Sequence, residues 1–196
     1  MKNIVSTLKP WLLLIVLLLD GWMAGAQPDR VYRSLDEVQC PDSVFVLQLN
    51  RKRLRSIPAE IFTFRNLRVL DLGKNRIDTI PPQIGSLTRL EVLNMQRNRI
   101  RIVPPEVGQL TQLRVLNLNR NPILDLPAEM SALTHLEELI IWCTGVISFP
   151  PSFAALNYTL KTIDMRVCPM TWDNQQAIEE LLPTPRKRWD YVCNCK

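Results

Sequence analysis

Four basic residues recur at a spacing of 23 along this 196-residue chain: Arg51, Lys74, Arg97 and Arg120. Arg53, Arg76 and Arg99 stand two places beyond the first three. Cations held in a column suit contact with an anionic partner at several points, and an acidic protein, an anionic glycan or a lipopolysaccharide surface would each serve. The alternative is that these residues only keep a rim solvated. Nucleic acid is disfavoured, because aromatic side chains are not interleaved with the cations as a stacking groove requires. A second group is apolar. Ile140 and Trp142, beside Asn119 and Arg166, have the composition of an interface anchor; the competing reading packs Trp142 against the C-terminal end of the fold.

Other chemistry is sparse. The chain has five cysteines and one histidine. Cys168 lies upstream of Cys193 and Cys195, and a disulfide from Cys168 to one of them would staple the C-terminal end, whereas Cys40 and Cys143 lie too many strands apart to pair. A metal site at Cys168, Cys193 and Cys195 lacks a fourth ligand, with His135 about one and a half repeats away. No phosphate loop, zinc-protease helix motif or nucleophile elbow is present, so the sequence predicts no enzyme, no metal and no cofactor. Asp71 and Asp164 share a column but are four strands apart, too far for an acid/base pair. Asn157-Tyr158-Thr159 is a glycosylation acceptor that matters only in a eukaryotic host.

The elements that position these residues are read from the same spacing. Leu67-Arg-Val-Leu-Asp-Leu-Gly-Lys-Asn75, Leu90-Glu-Val-Leu-Asn-Met-Gln-Arg-Asn98 and Leu113-Arg-Val-Leu-Asn-Leu-Asn-Arg-Asn121 are three copies of one unit. Aliphatic residues at the fourth and sixth places alternate with variable ones, so each copy is a short strand with its leucines inward. Asn75, Asn98 and Asn121, at the ninth place, form a structural ladder whose amides meet backbone groups left unpaired by the turn. Pro81-Pro82 and Pro104-Pro105 suit the entry to a short helical or extended turn on the opposite side. The third, fifth, seventh and eighth places face the concave side, which puts Asn94, Asn117 and Asn119 beside the cations and Trp142. Extended in both directions, the register gives units starting at Val44, Leu136 and Leu160, with Thr144 and Cys168 at ladder places. Charge divides along the array. Residues 44–112 carry 12 Lys/Arg against 5 Asp/Glu, and residues 113–182 carry 4 against 8.

The ends read differently. Lys2 and Lys9, the apolar run Trp11 to Leu19 and Ala24-Gly25-Ala26 predict a signal peptide over 1–26, cleaved before Gln27. The run is too short for a membrane span of about 20 residues, so the mature chain is expected to be secreted, periplasmic or at the cell surface. Residues 27–43 form an N-terminal cap, with Ser34 capping a short helical turn and Glu37 three residues on. The array occupies 44–167 in about six units. Residues 168–196 hold a helix from Gln175 to Leu182, with Asp173 as candidate cap, and a basic tail.

The pattern LxxLxLxxNxIxxIPxxIGxL, complete at Leu67 to Leu87, resembles the 23-residue leucine-rich repeats of the Ras-group-related type. The whole arrangement, from signal peptide to closing Gln-Gln-x-Ile-x-x-Leu-Leu-Pro helix, is similar to exported leucine-rich repeat proteins of bacteria. The resemblance implies an α/β solenoid, a right-handed superhelix with short parallel strands on the concave face and 3-10 or short helical turns on the convex face. It also implies a scaffold that binds a partner protein through its concave sheet, with no reaction attached. Arg51, Lys74, Asn94, Arg97, Asn117, Asn119, Arg120, Ile140, Trp142 and Arg166 are the expected contact residues.

Overall fold

The computed structural model describes residues 30–189. The expected signal peptide, Cys193 and Cys195 lie outside them. Eight strands follow one another in chain order in a single parallel sheet: β1 (Val31–Tyr32), β2 (Val46–Gln48), β3 (Val69–Asp71), β4 (Val92–Asn94), β5 (Val115–Asn117), β6 (Glu138–Ile140), β7 (Thr162–Asp164) and β8 (Arg186–Arg188). Register matches repeat to repeat, Val46 opposite Val69, Val69 opposite Val92 and Val92 opposite Val115. Each strand is joined to the next by a return limb, six of which hold a 3-10 turn and the last an α-helix, so the architecture is an α/β solenoid.

The alternation of the sequence becomes the core. Fourth-place Leu47, Leu70, Leu93, Leu116, Leu139 and Ile163 are fully buried, and sixth-place Leu72, Met95, Leu118 and Ile141 lie beside them. Each such side chain contributes about 1.5–3 kcal/mol by leaving water. The facing layer comes from the turns at Ala59–Thr63, Pro82–Ser86, Pro105–Gln109, Ala128–Ala132 and Pro151–Leu156, which bury Ile61, Ile84, Val107, Met130 and Phe153. Proline precedes or opens every one of them, where its fixed φ fits and its missing N–H costs nothing. The turns stack closely: a Cβ on Gly108 would stand 2.3 Å from the Glu129 carbonyl oxygen of the next turn.

The asparagine ladder ties the layers together. Asn98 Nδ2 donates to the carbonyls of Met95 at 2.9 Å and Leu72 at 3.0 Å, while its Oδ1 accepts from Ile77 N at 3.0 Å. Asn75 and Asn121 repeat the pattern on Leu49, Leu72 and Leu54 and on Met95, Leu118 and Ile100. Where the sequence departs from Asn, a smaller donor stands in: Thr144 Oγ1 donates to Ile141 O at 2.7 Å, and Cys168 Sγ to the same oxygen at 3.4 Å.

Cys168 points inward at the ladder place, and among the described residues its thiol is free, as are those of Cys40 and Cys143; the expected link to Cys193 or Cys195 falls on residues outside the described ones. Burial pushes the Cys168 pKa up.

The second place of each unit forms a different column. Arg68, Glu91, Arg114, Glu137 and Lys161 alternate in sign from repeat to repeat, with one reversal-free run of five. Arg68 pairs with Glu91 at 3.7 Å; Glu137 takes Arg114 Nε at 3.0 Å and Lys161 Nζ at 2.7 Å. Burial alone would raise the Glu137 pKa, but the Lys161 and Arg114 hydrogen bonds outweigh it and hold the carboxyl below its usual value.

Both ends extend the sheet beyond what the pattern foretold. At the start, Ser34 does cap a turn at Leu35–Glu37, accepting from Asp36 N, and β1 precedes it to pair with β2. At the end, helix α1 runs Trp172–Leu181, not Gln175 to Leu182, and its cap is Thr171. A reciprocal box with Asn174 satisfies two N–H groups there, and Asp173 simply lies in the first turn. Arg186–Arg188, read as part of a tail, is β8. Lys187 occupies an inward place, its side chain 2% exposed, with the ammonium on Glu179 at 2.8 Å.

Candidate interaction face

The carboxyl ends of the strands meet one local problem. The N–H of the seventh place has no neighbouring-strand carbonyl, and a side-chain oxygen two residues earlier accepts it. Gly73 donates to Asp71 at 2.8 Å, Gln96 to Asn94 at 3.2 Å, Asn119 to Asn117 at 3.2 Å and Arg166 to Asp164 at 3.4 Å. This is the short-range turn bond that Asp and Asn make readily. The fifth-place Asx residues are therefore part of the frame. Asp71 also accepts from Asn50 and Asn94, each at 3.0 Å, and burial outweighs these bonds to raise its pKa.

One residue further on, the chain turns through the left-handed region. Arg51, Lys74, Arg97, Arg120, Cys143 and Val167 have φ of 59°, 59°, 54°, 53°, 55° and 57°. Glycine and asparagine adopt this conformation most easily, whereas other residues bear roughly 1–2 kcal/mol. Backbone geometry thus does not account for arginine or lysine in four successive repeats. Arg51, Arg97 and Arg120 are exposed and Lys74 half-buried, and Arg53, Arg76 and Arg99 are exposed beside them. Among the described residues none of these seven forms an ion pair with a carboxylate, although Lys74 acts at longer range on Asp71, in contrast to the second-place column.

Arg120 has another partner. Its guanidinium lies 4.6 Å from the centre of the Trp142 ring, so the last cation of the row and the aromatic residue form one unit. Trp142 and Ile140 are half-buried. The tryptophan that packs against the core beside the C-terminal helix is Trp189, whose Nε1 donates to Glu179 at 3.4 Å.

The expected contact residues divide on this geometry. Arg51, Lys74, Arg97, Arg120, Ile140 and Trp142 share the rim and the adjoining concave sheet. Asn94 and Asn119, expected to face a partner, are only 6% and 3% exposed, since each is engaged in the fifth- and seventh-place bonding. Asn117 is half-buried and serves Asn119 twice. Arg166 is not a free cation: Nε and Nη2 clamp Asp164 at 2.9 and 2.8 Å. Face-counting missed the role of Asp71, although the recurrence of Asp or Asn at fifth places was its signal. It also missed an open groove on the return limbs, where Ile102 and Leu124 are exposed beside Arg101, Asp125 and Pro127.

The sequence matches the leucine rich repeat family over residues 43–100 and again over 65–123, and the sheet carries the same unit through β7. The chain is a leucine-rich repeat protein. No curated protein sequence matches this leucine-rich repeat protein. Solved structures do. It is similar to a leucine-rich repeat protein of Leptospira interrogans, with a TM-score of 0.60 and 24% identity over 76% of this chain and 43% of that one. An internalin of Listeria monocytogenes gives a TM-score of 0.63 at 18% identity, covering 78% and 44% of the two chains. The ectodomain of the Arabidopsis thaliana receptor kinase GASSHO1/SCHENGEN3, solved in complex with Casparian strip integrity factor 2, gives 0.57 at 25% identity, covering 74% and 17%. The leucine-rich repeat array here thus spans less than half the length of each.

Proposed function

We propose that this leucine-rich repeat protein recognises an acidic partner protein through its cation row and the Arg120–Trp142 pair, and that it does so after export as a secreted, periplasmic or cell-surface protein. The fold is a protein-interaction scaffold, and a related ectodomain was solved with a protein ligand bound. One observation carries the acidic partner: among the described residues seven cations in neighbouring repeats form no ion pair, while the second-place charges of the array are paired. Like charges about 4.8 Å apart repel by roughly 1 kcal/mol per neighbouring pair in water, and an acidic surface removes that repulsion on binding. Trp142 supplies apolar area of the kind that dominates interface energies.

The multivalent, same-sign row also favours a second reading, adhesion to an anionic glycan or lipopolysaccharide surface. Capture from envelope and culture fractions separates the two. The bait is the mature chain, Gln27 to Lys196, beside Trp142→Ala and the double variant Arg97→Glu/Arg120→Glu. A defined protein retained by wild type and lost by both variants supports the protein reading. Polyanionic material released by moderate salt, with Trp142→Ala unchanged, refutes it.

A further inference from the structure

Among the described residues the seventh-place bonding is missing from two repeats, that of β2, where Gln48 stands two residues before Asn50, and that of β6. Gly73, Gln96, Asn119 and Arg166 each donate to an Asp or Asn two residues back, but in the repeat of β6 that place is Ile140, which offers no acceptor to the Trp142 N–H. Its neighbour in the column has the opposite deficit. Asn119 Nδ2 donates to Asn117 Oδ1 at 2.8 Å, and its own Oδ1 is buried without a partner among the described residues. A flipped amide would set oxygen against oxygen, so the orientation is fixed by Asn117. Buried acceptors without donors are rare in native proteins and costly.

An unserved donor and an unserved acceptor therefore stand just past the ends of β6 and β5, neighbouring strands that lie about 4.8 Å apart. A residue in an extended chain turns its N–H and C=O to the same side and exchanges both with a neighbour. Its side chains then fall beside Ile140 and the indole on one flank and Arg97 and Arg120 on the other. Building on the acidic-partner reading above, we propose that Asn119 and Trp142 clip one residue of an extended, acidic polypeptide segment by its main chain, Asn119 Oδ1 accepting the N–H and Trp142 N–H donating to the C=O. Asn119 is only 3% exposed, so the clip closes by displacing a neighbour in its column. Trp142, resting under Arg120 at the surface, is that neighbour, and its fluorescence reports the displacement.

The test titrates the mature chain with a short oligoglutamate peptide and with polyacrylate of matched charge, which has the anions without the amides. The clip predicts at least about tenfold tighter binding of the peptide, the equivalent of one good hydrogen bond, and a Trp142 emission shift with the peptide alone. Ile140→Asn installs the residue that β4 and β5 carry at this place, so it is expected to fold while occupying the Trp142 N–H internally. It should erase the preference for peptide and leave polyacrylate binding unchanged, and Asn119→Leu should do the same. Equal affinities for the two probes in wild type mean that solvent serves the orphan groups, and the clip is wrong while the acidic-partner reading stands. A preference that survives Ile140→Asn also overturns the clip. If neither probe binds wild type, the acidic-partner reading falls and the clip with it.

Discussion

Replacing Asn98 by alanine tests the ladder where it is most interlocked. The substitution removes two close donations from Nδ2, to Leu72 O and Met95 O, a longer one to Gln96 O at 3.4 Å, and one acceptance by Oδ1 from Ile77 N. The losses differ in kind. Leu72 O keeps the Asn75 amide at 2.8 Å, and Met95 O keeps the Asn121 amide at 2.9 Å, so each carbonyl loses its second donor only. Ile77 N, on a residue with no solvent exposure, is left without a partner. Taking about 0.5–1 kcal/mol for each of the two close shared bonds and about 1–3 for the orphaned amide, the loss is about 2–5 kcal/mol. That is a large share of the 5–15 kcal/mol typical of a domain. Urea unfolding followed by tryptophan fluorescence reads it as a lowered midpoint, and hydrogen exchange should show the loss concentrated at Ile77 and the adjoining repeats. Asn98→Asp should be worse, since a carboxylate oxygen would face the two carbonyls that Nδ2 now serves. A loss below about 1 kcal/mol for alanine, or an aspartate variant as stable as alanine, would refute the interlocking account.

Gly108→Ala should cost about 1–3 kcal/mol in the same urea assay, since the added methyl meets rigid backbone of Glu129, whereas Gly85→Ala should cost less because the Gln109 side chain it meets at 2.2 Å can swing away. Glu137 has a lowered pKa, so its pairing stabilises the fold above the usual glutamate range and the contribution is lost as pH falls through its folded value; Glu137→Gln should flatten that acid limb in pH-dependent melts. Asp71 has the opposite sign. Its raised pKa means that the protonated form is favoured on folding, a contribution present at low pH and lost as pH rises through the folded value, and Asp71→Asn should remove that dependence while keeping an acceptor for Gly73 N.

What was legible in the sequence was whatever repeats. The fourth- and sixth-place leucines and the ninth-place asparagines recur with a common environment, and spacing alone places them inward. That Asn94 and Asn119 are buried and Asn117 half-buried was not legible, because alternation tells which face a residue occupies and not which backbone group its amide meets two residues away. Non-repeating ends were harder. Arg186-Lys187-Arg188 shows no apolar alternation, and Glu179 on α1 together with the Pro185 carbonyl makes an inward Lys187 tolerable. The helix began early because Thr171 and Asn174 cap each other, a pairing that outcompeted the lone Asp173. The left-handed φ of the cation row left no mark in the sequence, since arginine and lysine are not the residues that conformation selects.

The second-place column gives the array a parity. Arg68, Glu91, Arg114, Glu137 and Lys161 alternate in sign, so each repeat is complementary to its immediate neighbours and matched in sign with the next but one. Excising residues 90–112 would set Arg68 beside Arg114, two guanidiniums facing each other in a half-buried position. Excising 90–135 would set Arg68 beside Glu137 and restore attraction. Repeat arrays lengthen and shorten by slippage between similar units, and here single-unit slips are penalised electrostatically while double-unit slips are not. In this stretch the length change that preserves charge complementarity is a pair of repeats.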